Sequence, residues 1–294
     1  MTDICIIGVG NIGGSLAIAL TRAGYNLSQL VTCERNVSPK IKRQVSADSQ
    51  IVQWKDLKAI DSKVIFITTP DPEIEKVSER ISQFVKKGQF VFHASGSLSS
   101  AVLQTVADNG CLIASLHPLT SVSDPIRGAL QFEGTYFCIE GEAKAVKLGK
   151  RIVKDLGGHS FAIATESKPL YHAAAVTAAG HVTALFDVAV EMLSKCGLSM
   201  EESQRIFFPL IRSTVQNLEH ERPVRALTGS FARLDVDAFE RHLEAMRCRV
   251  SPEIINIYLS LGQHSLALVE RRDGITERSK AFGERLSMAR RKSR

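Results

Sequence analysis

Gly8-Val9-Gly10-Asn11-Ile12-Gly13 follows directly on the apolar run 4–7, and residues 15–23 then carry Leu16, Ile18, Ala19 and Leu20 at helical spacing. A short buried-type strand, a G-x-G-x-x-G turn and a helix, in that order, leave few folds open. Gly8 permits the tight turn, Gly10 lets phosphates approach the backbone, and Gly13 lets the helix pack close to the strand. The helix start offers free N–H groups and the positive end of a dipole. The motif predicts a dinucleotide pyrophosphate site at Gly8, Gly10, Asn11, Ile12 and Gly13; a glycine-rich turn without a ligand is the alternative.

The strand pattern recurs at 29–33, 64–68, 90–93, 112–115, 136–139 and 160–163. Helical stretches lie between several of them, at 73–85, 99–108 and 142–156. Strands alternating with helices predict βαβ units and a parallel sheet. After residue 163 the pattern turns helical, at about 167–195, 199–219, 236–247, 251–271 and a last stretch towards the C-terminus. The fold class expected is α/β: a Rossmann-type parallel-sheet domain at 1–163, then an all-α domain at 164–294. A chain of 294 residues is long enough for both.

Net charge is +6, but residues 270–294 hold nine Lys/Arg against four Asp/Glu, so all but +1 resides in the tail. A nucleic-acid-binding body would carry a basic face in its own elements; nucleic acid is therefore not the expected partner, and a tail arm for DNA is a minor alternative. No run reaches 18 apolar residues, so no membrane span is expected. The six cysteines form no C-x-x-C, and Cys5, Cys33, Cys111 and Cys138 read as small core residues in a reducing compartment. Asp3 stands where a signal peptide needs positive charge, and a cytoplasmic location is expected.

Ligands in such sheets bind beyond the carboxyl ends of the strands. That places Thr69, Pro70 and Asp71, and then His93, Ser95 and Gly96, beside the cofactor; His93 is equally readable as a satisfied structural residue. Glu34 lies 21 residues after Gly13, where a carboxylate accepts from the ribose 2′-hydroxyl of NAD, whereas Arg35 suits the 2′-phosphate of NADP. The pair leans slightly towards NAD, and two surface charges are the bland reading. In the second half, Lys168 and His172 stand four apart on a helix, and Thr228, Gly229, Arg233 and Asp235 form a polar turn able to close on a ligand.

The opening GVGNIGGSLAIALTRAGY is similar to that of prephenate dehydrogenases. The segments TTPDPEI, HASGSL, LHPLTSVSDP, FCIEG, KPLYHAAAV and ALTG-xxx-R-x-D follow in order over about residues 3–245. Together they resemble a family of Rossmann-like NAD(P)-binding oxidoreductases whose helical C-terminal domain has no known function. Its relatives include pyrroline-5-carboxylate reductases, ketopantoate reductases and hydroxyisobutyrate dehydrogenases. His181 stands where that family usually has asparagine, and Ser230 and Leu234 replace a proline and a glycine.

The resemblance implies an oxidoreductase moving a hydride to or from a small polar metabolite, with a dinucleotide-binding sensor lacking turnover as the alternative. Lys168 and His172 hold the spacing of the Lys and Asn that hydroxyacid dehydrogenases place on their first long C-terminal helix. By that analogy Lys168 and His172 are catalytic candidates that handle the substrate's proton; His117, at the end of the sixth strand, is a further catalytic candidate, with a turn-shaping role as its alternative. His181, Thr228, Gly229, Arg233 and Asp235 are the substrate candidates. A homodimer through the helical domain and a cleft between the domains are expected.

Overall fold

The computed structural model describes residues 2–33 and 37–292. They form two compact units, Met1–Gly180 and His181–Arg294.

The first unit runs β1 (Asp3–Ile7), α1 (Asn11–Arg22), β2 (Asn26–Thr32), α2 (Pro39–Lys42), β3 (Gln50–Gln53), β4 (Val64–Ile67), α3 (Asp71–Ile81) and β5 (Phe90–His93). It continues through α4 (Gln104–Asp108), β6 (Leu112–Pro118), α5 (Pro125–Gln131), β7 (Tyr136–Gly141), α6 (Ala143–Asp155), β8 (His159–Ala162) and α7 (Lys168–Ala178). The eight strands make one sheet in the order β3-β2-β1-β4-β5-β6-β7-β8. Strand order reverses between β1 and β4, which opens a crevice at their carboxyl ends.

Successive side chains point to opposite faces of a strand, and here both faces are covered. Ile4, Ile6, Phe66 and Phe92 pack on one side, with the Phe66 and Phe92 rings stacked at 5.2 Å. Cys5, Ile7, Ile65, Ile67 and Val91 pack on the other. Cys5, Cys111 and Cys138 are buried thiols as expected, whereas Cys33 is exposed, because β2 ends at Thr32 and carries it out of the core.

The expected parallel sheet is parallel except at one seam: β7 runs antiparallel to β6, pairing His117 with Cys138 and Pro118 with Phe137. The chain between them never returns to the amino edge of the sheet. Asn11 donates to the carbonyls of Val122 and Ser123, and Ser15 to that of Pro125, which tethers the connection to α1. A Cβ on Gly128 would meet Ser15 Oγ at 2.3 Å, so α5 lies flush on α1. β7 must therefore start where β6 ended. Strand β3 is absent from the sequence reading because Gln50–Gln53 holds only two apolar residues, too few to register as a pattern.

The second unit comprises α8 (Gly180–Ser194), α9 (Met200–His220), α10 (Pro223–Ala226), α11 (Gly229–Ala232), α12 (Val236–Arg247), α13 (Pro252–Asp273) and α14 (Glu277–Lys292). Among the described residues no strand follows Ala162, as the helical pattern predicts. Phe239, Leu243, Leu259, Phe282 and Leu286 form its core. A Cβ on Gly262 would meet the Phe231 ring at 2.7 Å, so that glycine admits the ring between helices. Ser199 and Glu202 close a capping box at the start of α9. The units divide at 180/181 rather than 163/164, because α7 is anchored to the sheet by Lys168. Although no unbroken apolar run exists, Thr165–Ser194 is long and apolar enough by length and composition to cross a membrane. Its first turn is held to the sheet by the buried Lys168, and only 6% of the apolar window is buried.

Candidate functional site

The turn after β1 is shaped by backbone approaching backbone. Gly8 has φ +94°, and a Cβ there would lie 2.8 Å from the Thr69 nitrogen. A Cβ on Gly13 would lie 2.1 Å from the Gly8 carbonyl oxygen. The Thr68 hydroxyl donates to that same carbonyl at 2.6 Å and fixes the turn to the end of β4. Gly10 differs: a Cβ there meets nothing within 4 Å. Gly10 is also the N-cap of α1, with no side chain capping the helix, so the first N–H groups are left for an anion. Thr69 Oγ1, buried beside this turn, has no hydrogen-bond partner. Open space, free donors and an orphaned hydroxyl at the crevice fit a dinucleotide pyrophosphate.

The Asn11 side chain is spent on the loop 122–123, leaving its backbone N–H as its contribution to the turn. Ile12 packs against the core. Glu34 and Arg35 lie outside the described residues. Pro70 is the N-cap of α3. Asp71 accepts from the hydroxyls of Ser95 (2.8 Å) and Ser97, clasping the ends of β4 and β5 together.

His93 is buried, and both ring nitrogens are engaged. Nδ1 accepts from the Ser95 N–H at 3.2 Å and Nε2 faces the Ser99 carbonyl at 3.1 Å. Burial first, then the Lys168 charge, lowers its pKa to about 4, so it is neutral at pH 7. Of the two readings left open by the sequence, this geometry matches the structural one: His93 shapes the turn that presents Ser95 and Gly96.

Lys168 is fully buried, and its Nζ donates to the Ser95 carbonyl at 2.9 Å and Ser115 Oγ at 2.7 Å. Desolvation lowers its pKa, opposed by the charges of Cys138, Glu140 and Asp71. Glu140, also buried, accepts from the Ser100 N–H and hydroxyl and from Thr165 Oγ1. The Lys168 ammonium lies 5.7 Å from the centre of the Tyr171 ring. Pro169, directly after the lysine in the first turn of α7, suits a helix start.

One turn further along α7, Tyr171 and His172 meet His117 from β6. The Tyr171 hydroxyl and His117 Nδ1 are 2.7 Å apart, and the two imidazole rings are 6.0 Å apart, edge to face. Gly96 makes room for them, since a Cβ there would meet His172 Nδ1 at 2.4 Å and His117 Nε2 at 2.8 Å. His172 Nδ1 is buried without a partner. Burial, then the charge of Lys168, lowers the His117 pKa to about 3. Burial and the neighbouring Cys138 push the Tyr171 phenol up. All three rings line one cavity of about 740 Å³, whose other walls are mostly alanines of α7 with Phe161 and Leu119.

The structure thus gathers His117 and His172 at Gly96 and sets Lys168 behind them, away from the cavity lining. Sequence reasoning overlooked Tyr171, although it stands between Lys168 and His172 in KPLYH, and Glu140, which lies one residue past the strand pattern at 136–139. The remaining candidates belong to the second unit. Asp235 caps α12 by accepting from the Ala238 N–H at 2.9 Å. Thr228 is the N-cap of α11, Gly229 has φ +83°, and His181 is exposed in the first turn of α8. The Arg233 carbonyl accepts from the Arg278 guanidinium. Leu234 holds φ +52°, a left-handed conformation that favours glycine, which is the residue it replaces in the resembled pattern.

A parallel-dominated sheet with a glycine turn at its switch point defines a Rossmann-like domain, and residues 2–118 match the family model of that description. Residues 135–265 match the model of a domain of unknown function, DUF2520. The chain thus joins the two domains that its sequence resembles. No curated protein matches it. Among solved structures, a Bacteroides fragilis protein provisionally described as an NADP oxidoreductase is 21% identical, with a TM-score of 0.73 over 92% of this chain and 98% of that one. An Aspergillus terreus reductive aminase in complex with NADPH and ethyl-5-oxohexanoate is 15% identical, with a TM-score of 0.64 over 95% and 98%. A Plasmodium falciparum pyrroline carboxylate reductase with NADP bound is 13% identical, with a TM-score of 0.56 over 91% and 98%. At these identities the likeness is one of fold.

Proposed function

We propose that the protein is an NADP(H)-dependent oxidoreductase. The observation that carries this reading is the contrast within the turn: Gly8 and Gly13 are required by the chain's own backbone, while Gly10 faces open space at an uncapped helix start. The backbone N–H groups of residues 11–13 and the Thr69 hydroxyl would hold the pyrophosphate. NADPH or NADP is named with the reductive aminase and the pyrroline carboxylate reductase, so the earlier lean to NAD has no support and NADP(H) is the cofactor proposed.

When bound, the cofactor supplies the hydride. The chain's own residues supply orientation and the proton. Tyr171, its phenol pushed up by burial, stays protonated and is hydrogen-bonded to Nδ1 of the neutral His117 ring. His172 joins them at the polar end of the cavity, where a substrate heteroatom would receive its proton. Lys168 is a positioning residue in this scheme: it holds the Ser95 carbonyl, stacks behind Tyr171 and, after burial, adds its charge to what keeps His117 neutral. This revises the expectation that Lys168 itself carries the proton, since its Nζ has no exposed surface.

A screen of carbonyl and imine compounds following NADPH absorbance tests the reading. Turnover that falls in Tyr171→Phe supports it; tight NADPH binding with no turnover on any compound would favour the sensor alternative. We also propose a homodimer through the helical unit, on the strength of Ile206, Phe208, Leu210 and Leu218, large apolar side chains that α9 leaves exposed in the single chain.

A further inference from the structure

The cavity beside α7 is unusual in what its walls lack. Its volume of about 740 Å³ falls in the range of small-molecule sites. Ala174, Ala175, Ala178, Val176, Phe161 and Leu119 give it an apolar wall, Thr120 and Ser121 add two hydroxyl residues, and among the described residues no Asp, Glu, Lys or Arg lines it. Three alanines within two turns of α7 leave space where larger side chains would fill it. Besides those hydroxyls, the polar lining is the cluster of His117, Tyr171 and His172, where His172 Nδ1 is buried with no partner.

The ammonium behind the cavity is already committed. Lys168 Nζ is fully buried behind the Tyr171 ring and already donates to Ser95 and Ser115. A substrate carboxylate lodged against the alanines would be desolvated without a counter-charge, which is costly. A neutral C=O or C=N group meets hydrogen-bonding side chains at the polar end, and an apolar body meets the alanine wall.

We propose that this cavity takes the uncharged apolar body of the substrate, so that the protein acts on neutral carbonyl or imine compounds and discriminates against carboxylate-bearing ones. This rests on the oxidoreductase reading and replaces the small polar metabolite expected from the sequence with a largely apolar one. The alanine face of α7 is then a specificity surface.

The test uses the full chain and two ketones of similar size, 4-methylcyclohexanone and 4-oxocyclohexanecarboxylate. Binding is followed by saturation-transfer NMR with and without NADP⁺, a pairing in which no hydride is available and only recognition is read. The neutral ketone is expected to bind at least ~10-fold more tightly than the carboxylate, a discrimination within reach of pocket contacts. Val176→Arg, at a half-exposed wall position, should narrow or reverse that ratio by supplying a guanidinium. Ala175→Phe should abolish binding of the neutral ketone by filling the space. Equal or tighter binding of the carboxylate to the unmodified protein would overturn the proposal, and so would neutral-ketone binding that ignores Ala175→Phe. A failure of NADP⁺ to bind in the same titrations would instead remove the oxidoreductase reading, while the ketone ratio without cofactor still decides what the cavity accepts.

Discussion

At the turn between β1 and α1, side chains are excluded: Gly8 and Gly13 bring backbone within van der Waals reach of backbone, and only Gly10 looks outward. At the cavity beside α7 the backbone stands back, and the side chains of His117, Tyr171 and His172 line it with Lys168 behind them, the groups to which the proposed function assigns the chemistry. The two regions meet different demands. A pyrophosphate is recognised by main-chain donors that every residue carries, so the sequence must supply absence of side chain. A reacting carbonyl needs particular polar groups, so the sequence must supply their presence and hold them through a buried cation. Substitutions should therefore act in opposite ways at the two ends.

The largest effect is expected at the cavity. Tyr171→Phe and His172→Ala should each lower kcat by ~10²–10⁴, with NADPH affinity unchanged, as steady-state kinetics beside cofactor titration would show. If cofactor affinity falls in step with kcat, the two regions are not separable. At the turn, Gly13→Ala should act on the fold: its Cβ would meet a main-chain oxygen that cannot move aside, costing ~1–3 kcal/mol. Thermal unfolding would register this as a fall of several degrees. An unchanged Tm would mean that the turn is more pliant than its packing indicates.

How far each region was legible follows from the same contrast. The glycine turn, its flanking strand and helix, and the helical second half were readable because they depend on local sequence. The antiparallel β7 was not, because it depends on Asn11 and Ser15 holding a loop more than 100 residues away. Lys168 and His172 were found by their spacing, but which of them faces the cavity was invisible: the lysine's partners, Ser95 and Ser115, lie on other strands. Asp235, a substrate candidate in the sequence, caps a helix, a role that Asp at the start of a helix commonly fills.

A smaller effect concerns charge inside the first unit. The folded-state pKa values of His93 and His117, about 4 and about 3, lie below the unfolded value near 6.5. In that interval the unfolded chain binds more protons, so stability present above pH 6.5 is lost as the pH falls towards 4. Each histidine contributes a slope of up to ~1.4 kcal/mol per pH unit. Denaturant titrations across pH 7 to 4 should give a shallower profile for His93→Asn than for the unmodified protein; identical slopes would contradict the buried neutral imidazole. Smaller again, Lys168→Met should raise the pKa of His117 and His93, seen by NMR titration of the imidazole protons, because the ammonium charge is part of what holds both down. The dimer is the last contrast, between the sheet unit and α9, and light scattering on a size-exclusion column should give about twice 32.2 kDa.

The central claim is that the β1–α1 turn binds NADP(H) through space left open at Gly10. Calorimetric titration of NADPH into the unmodified protein and into Gly10→Val, with Tm measured on both, tests it directly. The account predicts saturable binding to the first, none to the second, and closely similar Tm values, because a side chain at position 10 meets nothing within 4 Å of its Cβ. Equal NADPH affinity in the two proteins, or no binding of NADPH, NADP, NADH or NAD to the unmodified chain at millimolar concentration, would contradict it.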